Sequence, residues 1–194
     1  QIRNYMSRMG GFTKIAAAVA CDAGHAWDRC IVSLDRRLPV IAQCLARAVA
    51  TNYIDFADRN PNHARNAGVD VKRLKSLKNM EDLVTTLMAP TNGYRGKSYE
   101  YLHLSCPADP ASVATPLMNL FTLNDQIVSR EELITDSKYP LCNPNIINVT
   151  TSRGTHVIRW EGFMAKRCWI CQTSLEFFNA VLEEGRGEGK SKET

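Results

Sequence analysis

The chain has 194 residues, 44% hydrophobic and 23% charged, a composition ordinary for a soluble globular protein, which predicts one globular domain or two small ones. A net charge of +4 excludes a chain dominated by one sign. The charge is uneven, however: residues 1–97 carry 15 Lys and Arg against 8 Asp and Glu, and residues 98–194 carry 9 against 12. A basic half joined to an acidic half points to a polyanionic partner for the first, or to head-to-tail contact between copies.

Residues 1–90 read as a helical basic region. Thr13 is placed to cap a helix through Lys14–Cys21, and Pro39 suits the first turn of a second. That second helix, with Ile41, Leu45, Ala48 and Val49 at helical spacing, should stop before Asn60-Pro61. Asp70 or Val71 opens a short basic helix through Leu77. Asn79 can cap another, with Glu81 and Asp82 in its first turn. The Pro- and Gly-containing run Ala89–Gly93 closes this half.

Residues 91–184 read as a mixed α+β region. Tyr99, Tyr101 and His103 alternate with Glu100, Leu102 and Leu104, the period of a strand over Ser98–Ser105. Asp109-Pro110 and Thr115-Pro116 look like helix starts, with Met118–Phe121 as apolar content. Ser129–Glu132 has capping-box spacing and Pro140–Asn145 reads as a loop. Ile146–Thr151 and Thr155–Trp160 are β-rich runs about Ser152-Arg-Gly154, the pattern of a hairpin. Met164, Cys168, Cys171, Leu175, Phe178 and Leu182 form one apolar stripe of a long helix, to be packed in a core or against a neighbouring subunit. The fold class expected is therefore α+β: a helical N-terminal half, then a small antiparallel β-hairpin sheet and a long amphipathic helix. Residues 185–194 form a polar tail with no apolar surface to offset its ordering, so it is expected to be held by a partner.

Seven cysteines cannot all pair within the chain, which suggests free thiols in a reducing compartment, such as the cytoplasm or an organelle matrix, or a virion. Two thiolates at the spacing of Cys168-Trp-Ile-Cys171 can share a zinc or cycle as a disulfide, and Cys21 with His25 would complete a zinc set. Both Cys168 and Cys171 fall on the apolar stripe, so the expectation is buried core thiols with no cofactor, zinc being the minor reading. Gly93-Tyr-Arg-Gly-Lys-Ser98 ends like a phosphate loop, but the first glycine comes too late and no strand precedes it; it reads as a basic turn. No Gly-x-Ser-x-Gly pattern is present.

The basic cluster is the strongest binding signal. Arg59, Arg65, Lys72, Arg73, Lys75 and Lys78, with Arg95 and Lys97, are candidates for phosphate contacts. The expectation is a non-catalytic structural subunit of a larger assembly that contacts nucleic acid, RNA before DNA, through its basic half. A viral nucleocapsid or coat protein and a ribonucleoprotein component both fit. Its partners would be that nucleic acid and copies of itself or other subunits, without membrane insertion. The alternatives are a protein-binding accessory subunit of an organellar or membrane-associated complex, and a zinc- or thiol-dependent enzyme.

Overall fold

The computed structural model describes residues 2–23, 27–106, 109–128, 130, 143–157, 159–162, 164 and 166–190, the last five of these by backbone alone. In chain order the elements are α1 (Ile2–Met9), β1 (Ala18–Cys21), α2 (Trp27–Arg37), α3 (Pro39–Arg59), α4 (Pro61–Ala67), α5 (Val71–Leu74) and α6 (Met80–Leu83). A π-helical turn, Val84–Met88, runs on into α7 (Ala89–Thr91), and α8 (Ser98–Ser105) follows. Then come β2 (Leu117–Thr122), β3 (Ile146–Thr151), β4 (Trp160–Glu161), β5 (Arg167–Cys168) and α9 (Trp169–Lys190). The architecture is mixed helix and strand, broadly α+β. No helix among the described residues is long and apolar enough to cross a membrane.

The chain divides into two compact units, one made of residues 1–25 and 107–194, the other of residues 26–106. The first is built on a three-stranded parallel sheet in the order β1-β2-β3. Ala18 pairs with Leu117 and Leu117 with Ile146, so the three strands start level, and β2 and β3 run on together to a common edge. All six residues of β2 are buried, as a central parallel strand covered on both faces requires. Met6 of α1 packs with Ala18, Ala20, Val113, Leu117 and Ile146 in the core of this unit.

The second unit is helical. Pro39 opens α3 at its first turn and Asn60-Pro61 ends it, as the sequence predicts. Its buried face is Ala42, Ala46, Ala50 and Ala57. The expected apolar face is turned the other way: Ile41 and Val49 are 40% and 45% exposed. Alanine at steps of four lets a neighbouring helix approach closely, and the larger side chains do not fit there. The predicted caps hold. Asp70 accepts from the amides of Lys72 and Arg73, and Asn79 from that of Asp82. Asp35 of α2 adds its own carboxylate to the start of α6, accepting from Met80 at 2.8 Å and Glu81 at 3.0 Å.

Four expected elements are corrected. Ala18–Cys21 is a strand, where a helix over Lys14–Cys21 was expected; Thr13 accepts from the Ile15 amide in a local turn and opens no helix. Leu117–Thr122 is the central strand, where Met118–Phe121 was expected in a helix. Asp109 does cap a turn, but only the short 3-10 segment Pro110–Ser112. Ser98–Ser105 is helix α8, with Tyr101 its buried residue, so the alternation there is accidental. Among the described residues, 146–151 and 155–160 form no hairpin. β3 pairs in parallel with β2, and the antiparallel pair is Trp160↔Cys168 and Glu161↔Arg167. The capping box at Ser129–Glu132, apart from Arg130, the loop residues Pro140–Cys142 and the last residues 191–194 lie outside the described residues.

The apolar stripe of the last helix is also corrected. Met164 precedes α9 and is 76% exposed, while Leu175 and Leu182 are 62% and 57% exposed. The half-buried residues of α9 are Trp169, Ile170, Thr173, Ser174, Phe177, Phe178 and Val181, of which only Phe178 lies on the stripe.

Candidate functional site

The parallel sheet delivers two side chains to its common edge. β2 ends at Thr122 and the loop after it carries Asp125; β3 ends at Thr151 and the loop after it carries His156. Asp125 Oδ2 lies 2.9 Å from His156 Nδ1. The Asp125 side chain is fully buried, whereas that of His156 is 32% exposed. Asp125 Oδ1 accepts from the amides of Ile127 at 2.7 Å and Val128 at 2.9 Å, which fixes the carboxylate in one orientation.

Charge follows from this geometry. Burial pushes the Asp125 carboxyl up, but the His156 hydrogen bond and the amides of Val128 and Ile127 outweigh it and leave it below the ordinary range. His156 is raised above 6.5, chiefly by the hydrogen bond to Asp125, with burial opposing. An Nδ1 held by a buried carboxylate leaves Nε2 as the nitrogen able to exchange a proton with a reacting group.

A second carboxylate braces the histidine loop. Asp22, one residue past β1, accepts from the Val157 amide at 2.7 Å and from Arg159 Nη2 at 2.5 Å. Both partners of the Asp22–Arg159 ion pair are buried, at 0% and 4% side-chain exposure. Arg159 Nε donates to Thr151 Oγ1 at 3.0 Å, and Thr151 Oγ1 lies 2.8 Å from Thr122 Oγ1. The Arg159 guanidinium is 6.0 Å from the Trp169 ring centre, and the Arg159 carbonyl accepts from the Trp169 amide at 3.0 Å. Val157 has φ of +51°, strained for a β-branched residue. A Cβ on Gly154 would come within 2.9 Å of Thr122 Oγ1, and its φ of +150° suits glycine alone.

Asp22, Asp125 and His156 are the one group of three candidate metal ligands among the described residues whose ligand atoms lie within 4.8 Å of one another. Each carboxylate oxygen already has a partner: amides for one oxygen of each acid, Arg159 for the other of Asp22, His156 for the other of Asp125. With a guanidinium also on Asp22, the arrangement is a proton and hydrogen-bond relay more than a cation site.

The residues singled out in the sequence fall elsewhere. Arg59, Arg65, Lys72, Arg73, Lys75, Lys78, Arg95 and Lys97 are all exposed, and all belong to the helical unit. That unit also holds a cavity of about 520 Å³, with Ile31, Val32, Val84 and Leu102 on its wall and Arg29, Arg36 and Arg37 among its polar residues. Cys171 is exposed and Cys168 half-buried, so the expectation of core thiols is corrected. The reason is the shift of the buried face just described. Cys21 is half-buried; burial and then Asp22 push its thiol up, with smaller effects from Cys171 and Cys168. These three cysteines do not close on a common centre among the described residues, and His25 lies outside them.

Asp22, Asp125, His156 and Arg159 were missed in the sequence. The available signal was a buried strand followed within a few residues by an acid, then a second strand followed by a histidine. It could be read only with Leu117–Thr122 recognised as a strand.

The chain is similar to phospholipase ABHD3 of Mus musculus, 23% identical over 183 residues, which is 94% of this chain and 43% of that protein. The chain thus spans less than half the length of the relative it matches. No family model matches the chain. No solved structure matches it.

Proposed function

We propose that Asp125 and His156 are the acid and base of a hydrolase site of the nucleophile–histidine–acid kind. The observation that carries the reading is the buried carboxylate on His156 Nδ1 at the end of a parallel sheet, with the acid after one strand and the histidine after the next. Acid before histidine in chain order is the order of the α/β-hydrolases. The similarity to a phospholipase supports the same class and suggests an ester substrate, lipid esters included. In this reading His156 takes the proton of a nucleophilic hydroxyl or thiol, Asp125 holds the tautomer and stabilises the imidazolium, and the proton then passes to the leaving group. The nucleophile is not assigned to a residue of this chain: the match covers 43% of that relative, and no Gly-x-Ser-x-Gly pattern is present here.

The test has two parts. In the chain itself, NMR titration of His156 should give a pKa above 6.5 that falls back toward 6.5 in Asp125→Asn. Hydrolysis of p-nitrophenyl esters by the protein should lose on the order of 10⁴-fold in kcat in the same variant. An unchanged kcat in Asp125→Asn, or in His156→Gln, sinks the reading.

The nucleic-acid reading is the second proposal. Its specific support is that all eight candidate cations are exposed and lie in one unit.

A further inference from the structure

Cys168-Trp-Ile-Cys171 takes no part in the acid–base pair. Cys168 ends β5 and immediately precedes Trp169, the first residue of the 22-residue helix α9. It therefore holds the N-cap position and Cys171 the third helical position, the spacing at which an N-cap side chain meets a backbone amide. Both side chains therefore project from the first turn of α9, three residues apart. Cys171 is exposed and Cys168 half-buried. Both sulfurs are reachable from solvent, and they sit one turn apart at the positive end of a long helix.

We propose that Cys168 and Cys171 are a reversible disulfide site, oxidised by a low-molecular-weight disulfide such as oxidised glutathione. The Cys168 thiolate attacks one sulfur of the oxidant, forming a mixed disulfide and releasing one thiolate. Cys171 loses its proton to solvent and attacks the Cys168 sulfur, closing the internal disulfide and releasing the second thiolate. Two protein thiols are oxidised and one disulfide is reduced to two thiols. The order of attack follows the two acidities: hydrogen bonding with Cys171 holds Cys168 below the ordinary thiol range and pushes Cys171 up. The proposal is independent of the hydrolase reading.

The test equilibrates the chain in buffers of varied reduced and oxidised glutathione, quenches with acid and maps the cysteines by peptide mass spectrometry. The wild type should lose two hydrogens in a peptide joining Cys168 to Cys171. Cys168→Ser should form no such link, and Cys171→Ser should instead retain one glutathione on Cys168. In the unmodified chain, Cys168 should alkylate at least about tenfold faster at neutral pH than exposed Cys44. Equal reactivity of Cys44 and Cys168 overturns the proposal. So does a disulfide from either residue to Cys21, or a stoichiometric zinc that shields both thiols.

Discussion

His156 and Asp125 stabilise the fold in opposite directions of pH. The histidine is raised above 6.5, so its contribution is fully present below that pH and is lost as pH rises through the folded value. The acid is lowered below 3.8, so its contribution is present above that pH and is lost as pH falls through the folded value. Thermal unfolding of wild type and His156→Gln should therefore differ most between these limits and converge on the alkaline side. A difference that grows with pH would contradict the ion pair. The same raised value places the acid limb of any His156-dependent reaction above pH 6.5, because a base must be neutral. Asp22 makes a separate prediction. Asp22→Ala leaves the Arg159 guanidinium buried without its carboxylate and the Val157 amide without its acceptor. The expected loss is roughly 3–5 kcal/mol in denaturant unfolding. A loss near zero would mean that water reaches the pair.

At the scale of elements, burial decides which apolar residues matter. Leu120 is 0% exposed in the central strand and Leu175 is 62% exposed on α9. Leu120→Ala should cost about 2–5 kcal/mol and Leu175→Ala about 0.5 kcal/mol or less, both read by chemical denaturation. Equal costs would show that the exposed stripe of α9 is covered. The caps at Asp70 and Asn79 and the start of α3 at Pro39 were legible because a cap needs only its own turn. The strand at Leu117–Thr122 was not. A parallel strand buried on both faces reads as a continuous apolar run, with no period to separate it from a buried helix. The false strand at Ser98–Ser105 has the converse origin: aromatic alternation is a strand signal only where one face is solvated.

At the scale of the molecule, charge and fold divide at different places. Composition divides the chain near residue 90, whereas contacts set residues 26–106 apart from the rest. The helical unit has 12 Lys and Arg against 8 Asp and Glu, and the remainder has 12 against 12, so the whole net charge of +4 belongs to the helical unit. If that unit meets phosphates, binding of an RNA oligonucleotide by fluorescence anisotropy should weaken steeply with salt. The log–log slope should then fall by about one for each of Lys72, Arg73 and Lys75 changed to alanine. No salt-dependent affinity would remove the nucleic-acid reading.

The sequence by itself determined the mixed helical and strand character, the charge asymmetry, the caps of α5 and α6, the bounds of α3 and the strand at Ile146–Thr151. The caps and the helix bounds rest on interactions between residues close in the chain, and the strand on a β-rich run bounded by turn residues. Only the tertiary structure decided the site. Residues 22, 125, 156 and 159 are brought together by strands that pair across long connections, one of which carries the whole helical unit. Parallel pairing leaves no local turn to announce it, so the contact between Asp125 and His156 exists only once the sheet has formed.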